Sequence, residues 1–320
     1  MAKITVISSG PLSTIQDEGR FGYMNTGFSP NGAMDSYSMK LANILVGNAP
    51  GDGVVEMTML GMTVSFDSSA VIALTGADML PEINGKPAKM YTACEVHEGD
   101  TLALKAAISG MRTYFAVAGG FDIAPVMGSM STNLKCKLGG FYGRKLRAGD
   151  ELPLRRSLDL RLIGERSAEP ENAYPDCVTV RVVTGPQDDY FTDKGMQTFL
   201  TSEYAVSEKS DRMGIRLDGE KIENKNGVDI ISDGIATGAV QIPASGTPII
   251  MMADRQTTGG YAKIANVISA DLKIIAQARP GTKIRFEPVS EKDAIGLKKK
   301  EDMKLKAIQY RMLYSTWEDR

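Results

Sequence analysis

Pro248-Ile249-Ile250-Met251-Met252-Ala253-Asp254-Arg255-Gln256-Thr257-Thr258-Gly259-Gly260-Tyr261-Ala262-Lys263 sets the reading of this chain. A short apolar run of strand length ends in two charges and opens into hydroxyls, paired glycines, a tyrosine and a lysine. Paired glycines permit positive φ and let another chain or a ligand approach the backbone closely. The same stretch also fits a tight turn with a solvated rim. Either way it is β-type sequence, and the pattern repeats outward from it. Ile4 to Ile7, Val54 to Met59, Thr63 to Phe66, Val71 to Thr75, Thr101 to Leu104, Thr113 to Val117, Val178 to Thr184 and Lys283 to Phe286 are short β-branched or alternating runs between Gly, Asp and Pro. Such close spacing predicts a mainly β protein with a few helices, built of barrels or sandwiches rather than βαβ units.

Three helices are expected between the strands. Asp35 to Val46 places Met39, Ala42, Leu45 and Val46 on one side, with Asp35 as N-cap and Gly47-Asn48 as the stop. The others run from about Asp188 to Leu200 and from Ser269 to Ala278. The polar stretch Glu165 to Asp176, with Pro170 and Pro175, reads as a linker. It divides an N-terminal β lobe (1–168) from a C-terminal β lobe (177–288). The tail 289–320 starts with Lys298-Lys299-Lys300 and carries Leu305, Ile308 and Met312 at helical spacing. This predicts an amphipathic helix with a solvated basic face. Gly119-Gly120-Phe121 and Gly259-Gly260-Tyr261 hint that the two lobes are related.

At 320 residues the chain is long enough for two domains. A net charge of −2 gives no general attraction to nucleic acid or to an anionic membrane. No apolar run reaches the ~18 residues of a membrane span. The N-terminus reads directly as a strand, and a cytoplasmic location is expected. Cys94, Cys136 and Cys177 are odd in number and widely spaced, which predicts reduced, mostly buried thiols. The single histidine, His97, excludes a metal site needing two His ligands and leaves no metal expected. Its place before Glu98-Gly99-Asp100 predicts a surface position at a strand end. Acid–base chemistry then falls to Asp, Glu, Lys, Tyr or a partner's residues.

Phosphate-cradle and nucleophile motifs are missing. There is no G-x-x-x-x-G-K-[ST] and no G-x-S-x-G, and Gly51-Asp52-Gly53 is followed by Glu56 where a third glycine would complete a dinucleotide fingerprint. Met303-Lys304-Leu305 has the residue types of a biotin attachment tip but sits in helical pattern, so biotin is not expected on this chain.

Polar residues gather in four segments where strand or helix cores do not need them. Asp17 and Arg20, three apart, can fix a loop or orient a carboxylate or amide ligand, and Asp211-Arg212 invites the same two readings. Asp35 can cap a helix or act as an acid. Glu56 interrupts an apolar strand and faces solvent or a cleft.

These segments together resemble one family. Gly10-Pro11-Leu12-Ser13-Thr14-Ile15-Gln16-Asp17-Glu18-Gly19-Arg20, Gly32-Ala33-Met34-Asp35, Ala42-Asn43-Ile44-Leu45-Val46-Gly47-Asn48 and Glu56-Met57-Thr58 occur in that family's order. So do Gly128-Ser129-Met130-Ser131-Thr132, Gly139-Gly140-Phe141-Tyr142-Gly143-Arg144, Gly185-Pro186-Gln187, Ser210-Asp211-Arg212-Met213-Gly214 and Asp254 to Ala265. The chain is similar, over about residues 3 to 288, to the biotin-dependent carboxyltransferase-type family. That family includes the C subunit of 5-oxoprolinase, allophanate hydrolase subunit 2 and the kinase-inhibitor antagonist KipA. Two positions depart from its pattern: Ala262 stands where a proline is expected, and Met130 where an arginine is expected.

The resemblance implies two cyclophilin-like β-barrel lobes and partner subunits. In the first reading these are 5-oxoprolinase subunits B and A, and the complex opens 5-oxoproline to L-glutamate at the expense of ATP. The alternatives are a carboxyltransferase component acting on urea, and a non-enzymatic regulator bound to a KipI-like partner. For ring opening, Lys263 and Arg20 are expected to supply positive charge, and Glu56 or Asp17 to handle a proton. Gln16, Gln187 and Gln256 would fix the flat amide. Asp35, Asn43, Asp211, Arg212, Gln241, Thr257, Thr258, Gly259, Gly260 and Tyr261 complete the expected binding set.

Overall fold

The computed structural model describes residues 2–155, 166–170 and 174–314. They fall into two compact units, one made of Met1–Arg20, Asn31–Ala173 and Asp302–Arg320, the other of Phe21–Pro30 and Tyr174–Glu301. The protein is strand-rich with few helices, as its punctuation predicts.

The first unit carries β1 (Lys3–Ser8), β2 (Ser13–Gln16), β3 (Val54–Thr58), β4 (Thr63–Phe66), β5 (Ala70–Asp78), β6 (Glu82–Ile83), β7 (Lys86–Pro87), β8 (Cys94–Val96), β9 (Thr101–Ala103), β10 (Ser109–Val117) and β11 (Glu151–Pro153), with helix α1 (Ser36–Leu45). They form a six-stranded sheet in the order β11-β1-β4-β9-β6-β7 and a five-stranded sheet in the order β2-β3-β10-β5-β8. Alternation along the strands decides what each face buries. Val55, Met57, Ile72, Leu74, Phe115 and Val117 share a core with Ile4, Val6, Val64, Phe66, Leu102 and Leu152 of the six-stranded sheet. The alternate residues Val54, Val71, Ala73, Tyr114 and Ala116 pack instead against Leu41, Ala42, Ile44 and Leu45 of α1, joined by Leu305 and Met312. The five-stranded sheet is therefore covered on both faces, which is why Ala70 to Leu74 and Tyr114 to Val117 read as continuous apolar runs. Each fully buried Leu, Ile, Phe or Met contributes about 1.5–3 kcal/mol relative to exposure. Exposed pairs such as Lys3–Glu151, at 2.6 Å, are worth about 0–1 kcal/mol. The core, not the surface ion pairs, holds this unit together.

In the second unit β12 (Cys177–Thr184), β13 (Tyr204–Val206), β14 (Gly214–Asp218), β16 (Ala239–Gln241), β17 (Ile249–Met251), β19 (Lys263–Val267) and β20 (Lys283–Pro288) close into a barrel in the order β12-β19-β16-β17-β14-β13-β20. A separate two-stranded ribbon pairs β15 (Asp229–Gly234) with β18 (Thr258–Tyr261). The opening stretch thus splits: Ile249 to Met251 is a barrel strand, Thr258 to Tyr261 belongs to the ribbon, and Lys263 returns to the barrel. Both expected helices in this unit begin with a tighter turn. Asp188–Tyr190 is a 3₁₀ turn before α2 (Asp193–Thr201), whose N-cap Thr192 accepts the Gly195 N–H at 2.9 Å. Ser269–Asp271 is another, before α3 (Leu272–Gln277).

The tail forms α4 (Glu291–Tyr314). Met303-Lys304-Leu305 lies inside it, in regular helix rather than at a hairpin tip. None of the described helices is long and apolar enough to cross a membrane.

Two expectations are corrected. Cys136 and Cys177 are exposed and Cys94 only half-buried, so the thiols are not mostly buried. Cys177 is the first residue of barrel strand β12 and Cys136 sits in a turn, so neither has a core to enter. Part of the supposed linker is ordered against the body. The Ala93 N–H donates to the Arg166 carbonyl, and the Ala168 N–H to that of Tyr91. Polarity misleads there because strand-like pairing uses the backbone. Glu165 and residues 171–173 of that stretch lie outside the described residues.

Candidate active site

The expected residues divide between the units: Gln16, Asp17, Arg20, Asp35, Asn43 and Glu56 stand in the first, the remainder in the second.

In the first unit the loop that follows β2 is bound to Ser129-Met130-Ser131. The Asp17 carboxylate accepts from Gly19 N–H at 2.8 Å, Ser129 Oγ at 2.6 Å, Ser131 Oγ at 2.5 Å and Met130 N–H at 2.6 Å. Arg20 is fully buried and holds the same loop from its other side. Its guanidinium donates to the Ser131 carbonyl at 2.8 Å, the Val126 carbonyl at 3.1 Å and Asn31 Oδ1 at 3.0 Å. A methyl on Gly139 would collide with the Ser131 carbonyl and stand 2.5 Å from Arg20 Nη2, so only glycine, here at φ +67°, fits. Of the two readings open for Asp17 and Arg20, these contacts are those of a loop brace.

Glu56 is 1% exposed, which removes its solvent-facing alternative. Its Oε2 accepts the Met34 N–H at 2.8 Å and the Tyr114 hydroxyl at 2.9 Å. Tyr114 in turn accepts the Asp35 N–H at 2.7 Å. Burial, and then the charges of Glu56 and Asp35, push the Tyr114 phenol well above its ordinary range. Asp35 caps α1, with its two oxygens taking the Ser38 N–H at 2.9 Å and the Ser38 hydroxyl at 2.6 Å. Asn43 donates to the Asp52 carbonyl at 2.8 Å and accepts from Asn48 at 3.1 Å, stapling the end of α1 to the turn before β3. Gln16 donates to Thr14 Oγ1 and the Thr132 carbonyl.

In the second unit three expected residues come together around β19. Lys263 is 3% exposed. Its backbone N–H donates to Gln187 Oε1 at 3.2 Å, its carbonyl accepts the Gln187 N–H, and the Gly185 N–H donates to the Ile264 carbonyl. Gly185-Pro186-Gln187 is thereby laid against the lysine strand. Gln241 stands opposite Lys263 in the β16–β19 ladder. The lysine ammonium donates at 2.8 Å to Asp233 Oδ2, a residue the sequence does not single out. Its only signal there is an Asp-Gly step ending a β-branched run. The hydrogen bond from Lys263, then that from the Gly234 N–H, holds the Asp233 carboxyl below the usual carboxylate range.

Other expected residues have local duties. Arg212 grips Asp254 with two hydrogen bonds, at 2.9 and 3.1 Å. Asp211 closes a turn by accepting the Met213 and Gly214 N–H groups at 2.8 and 3.1 Å. Arg255, next to Asp254, is buried and donates to the Ile235 carbonyl at 2.8 Å. Gln256, Thr258 and Tyr261 are exposed, and Thr257, Gly259 and Gly260 half-buried, on or beside the ribbon. His97 lies just past β8 with an exposed side chain. Among the described residues no three His, Cys, Asp or Glu side chains gather as metal ligands would.

The arrangement can do one thing readily. A buried ammonium, fixed at its backbone by a glutamine and held by the half-exposed carboxylate of Asp233, can present positive charge to a small anionic or carbonyl oxygen.

The family model for the carboxyltransferase domain, subdomain A and B, matches residues 26–288. The chain is 38% identical over 306 residues to the C subunit of 5-oxoprolinase from Haemophilus influenzae, covering 96% of this chain and 97% of that protein. It is 34% identical over 312 residues to the C subunit of 5-oxoprolinase from Escherichia coli, with 97% and 98% coverage. The crystal structure of the Kluyveromyces lactis urea amidolyase superposes with a TM-score of 0.87 at 29% identity, over 96% of this chain but only 20% of that one. The strand order, the ordered loop motifs and these likenesses agree: the chain belongs to the family of carboxyltransferase domains built from subdomains A and B.

Proposed function

We propose that this chain is the C subunit of an ATP-dependent 5-oxoprolinase, acting with subunits A and B to open 5-oxoproline to L-glutamate. The observation that carries the reading is reciprocal, end-to-end similarity to two proteins named as 5-oxoprolinase C subunits. The urea amidolyase, by contrast, is about five times longer, so this chain parallels one part of it.

A lactam carbonyl is a poor electrophile. Transfer of the ATP γ-phosphoryl group to the lactam oxygen releases ADP and creates a leaving group. Water then adds at the ring carbon, and the C–N bond breaks with the nitrogen taking a proton. A second water releases the phosphate, so the overall change consumes one ATP and two waters. Lys263 supplies positive charge to an oxygen of the substrate, and Gln187 fixes the lysine strand. Asp17, Arg20, Asp35 and Asn43 brace the first unit, and Glu56 ties the entry of α1 to Tyr114. Without a phosphate-cradle motif in its sequence, this chain relies on its partners for part of the nucleotide site.

The test is reconstitution. Co-expressed with subunits A and B, the chain should support ATP hydrolysis that depends on 5-oxoproline, and alone it should be inert. A tight complex with no turnover would overturn the reading and favour a KipA-like regulator. Activity on urea with carboxybiotin would favour the carboxyltransferase alternative.

A further inference from the structure

Gln241 is 5% exposed, and its amide nitrogen is buried with no hydrogen-bond partner. A buried N–H₂ left unmatched costs free energy and marks a place where an acceptor belongs. Gln241 and Lys263 are direct cross-strand partners. The ladder shifts register between Val240 and Gln241, so the two residues face each other at a bulge, a place where strands re-aim side chains.

A glycine lies against Gln241. A Cβ on Gly259 would stand 2.9 Å from Gln241 Nε2 and 2.7 Å from Ile235 Cδ1. Any side chain there would press on the Gln241 amide and on Ile235. Opposite Gly259 in the ribbon is Asp233, the counter-ion of Lys263. Asp233 meets only part of what the pair offers. It accepts one ammonium hydrogen and leaves both Gln241 hydrogens unused. Its side chain is 54% exposed, so release to water is cheap.

We propose that Lys263 and Gln241 form a binding subsite for the carboxylate of a small ligand, with Asp233 as a resting counter-ion that the ligand displaces. The exchange conserves charge, one carboxylate for another against the same ammonium. The incoming group gains the Gln241 donors that Asp233 cannot reach. Joined to the function proposed above, on which this identification rests, the ligand is 5-oxoproline, held by its carboxylate rather than by its lactam oxygen.

The experiment is calorimetric titration of the reconstituted complex of all three subunits, without ATP, by 5-oxoproline and by pyrrolidin-2-one, which lacks the carboxylate. 5-Oxoproline should bind and pyrrolidin-2-one should not. Gln241→Leu should weaken 5-oxoproline binding by roughly tenfold or more. Gln241→Glu, close in shape, gives the same test should the leucine variant not fold. Asp233→Asn should tighten binding, because the competing carboxylate is gone while the lysine remains. Equal binding of the two lactams, an unchanged Kd in Gln241→Glu, or weaker binding in Asp233→Asn overturns the subsite even if turnover is normal. Should the complex neither bind nor hydrolyse 5-oxoproline, the functional reading fails on its own. The subsite is then decided on the full chain alone, by whether millimolar acetate slows reductive methylation of Lys263; no protection overturns it.

Discussion

Replacing Asp17 by asparagine tests whether this carboxylate is a brace or a proton carrier. Its oxygens accept four hydrogen bonds between 2.5 and 2.8 Å, two from backbone N–H groups and two from serine hydroxyls. Each bond to a charged acceptor is worth about 1.5–3 kcal/mol, and such values do not simply add. Asparagine keeps one oxygen, which can still serve Gly19, Ser129 and Ser131 as a weaker neutral acceptor. The other oxygen becomes an N–H₂ group facing the Met130 N–H, donor against donor. One buried donor is then unmatched, and three charge-assisted bonds become neutral. We expect a loss of about 3–5 kcal/mol, a large share of the ~5–15 kcal/mol that holds a typical domain. With a urea slope of ~2–3 kcal/mol/M, the midpoint followed by circular dichroism should fall by roughly 1–2.5 M. The double variant with Ser131→Ala should lose less than the sum of the singles, since both remove the same bond. A loss under ~1 kcal/mol with turnover abolished would refute the reasoning and return Asp17 to the chemistry.

Two further outcomes follow from the same geometry. Gly139→Ala forces a methyl against the Ser131 carbonyl and Arg20 at φ +67°, and should cost about 2 kcal/mol or more in urea unfolding; a neutral effect would mean that the brace yields freely. Asp150 receives two hydrogen bonds from Arg144, at 2.7 and 2.8 Å, which hold its carboxyl below the usual range. Its folded pKa is depressed, so its stabilising contribution is present above the unfolded value of ~3.9 and is lost as pH falls through the lower folded value. Urea midpoints measured from pH 6 downwards should fall less steeply with acid in Asp150→Asn than in the parent; identical slopes would contradict the assignment.

The local features were legible in the chain. Asp35 caps α1 as its type and place before Met39, Ala42 and Leu45 predict, because capping involves neighbours a few residues apart. The strand-rich character was equally plain, since turn residues punctuate it. The site was legible only in its parts. Gln187 and Lys263 are 76 residues apart and meet through one side-chain and one backbone hydrogen bond that no periodicity encodes. Asp233 escaped because an Asp-Gly step at a strand end looks like any turn. Arg20 and Asp17 drew attention as charges, yet their partners are a carbonyl, serines and amides that composition cannot pair with them. The exposed Cys136 and Cys177 show the converse error, a preference for burial overruled by their places in a turn and at the first residue of a strand.

The most direct test is 5-oxoproline-dependent ATP hydrolysis by the reconstituted complex carrying Lys263→Met, which keeps the length of the side chain and removes its charge. We expect a fall of about 100-fold or more with complex assembly intact. Turnover equal to that of the unaltered complex would contradict it.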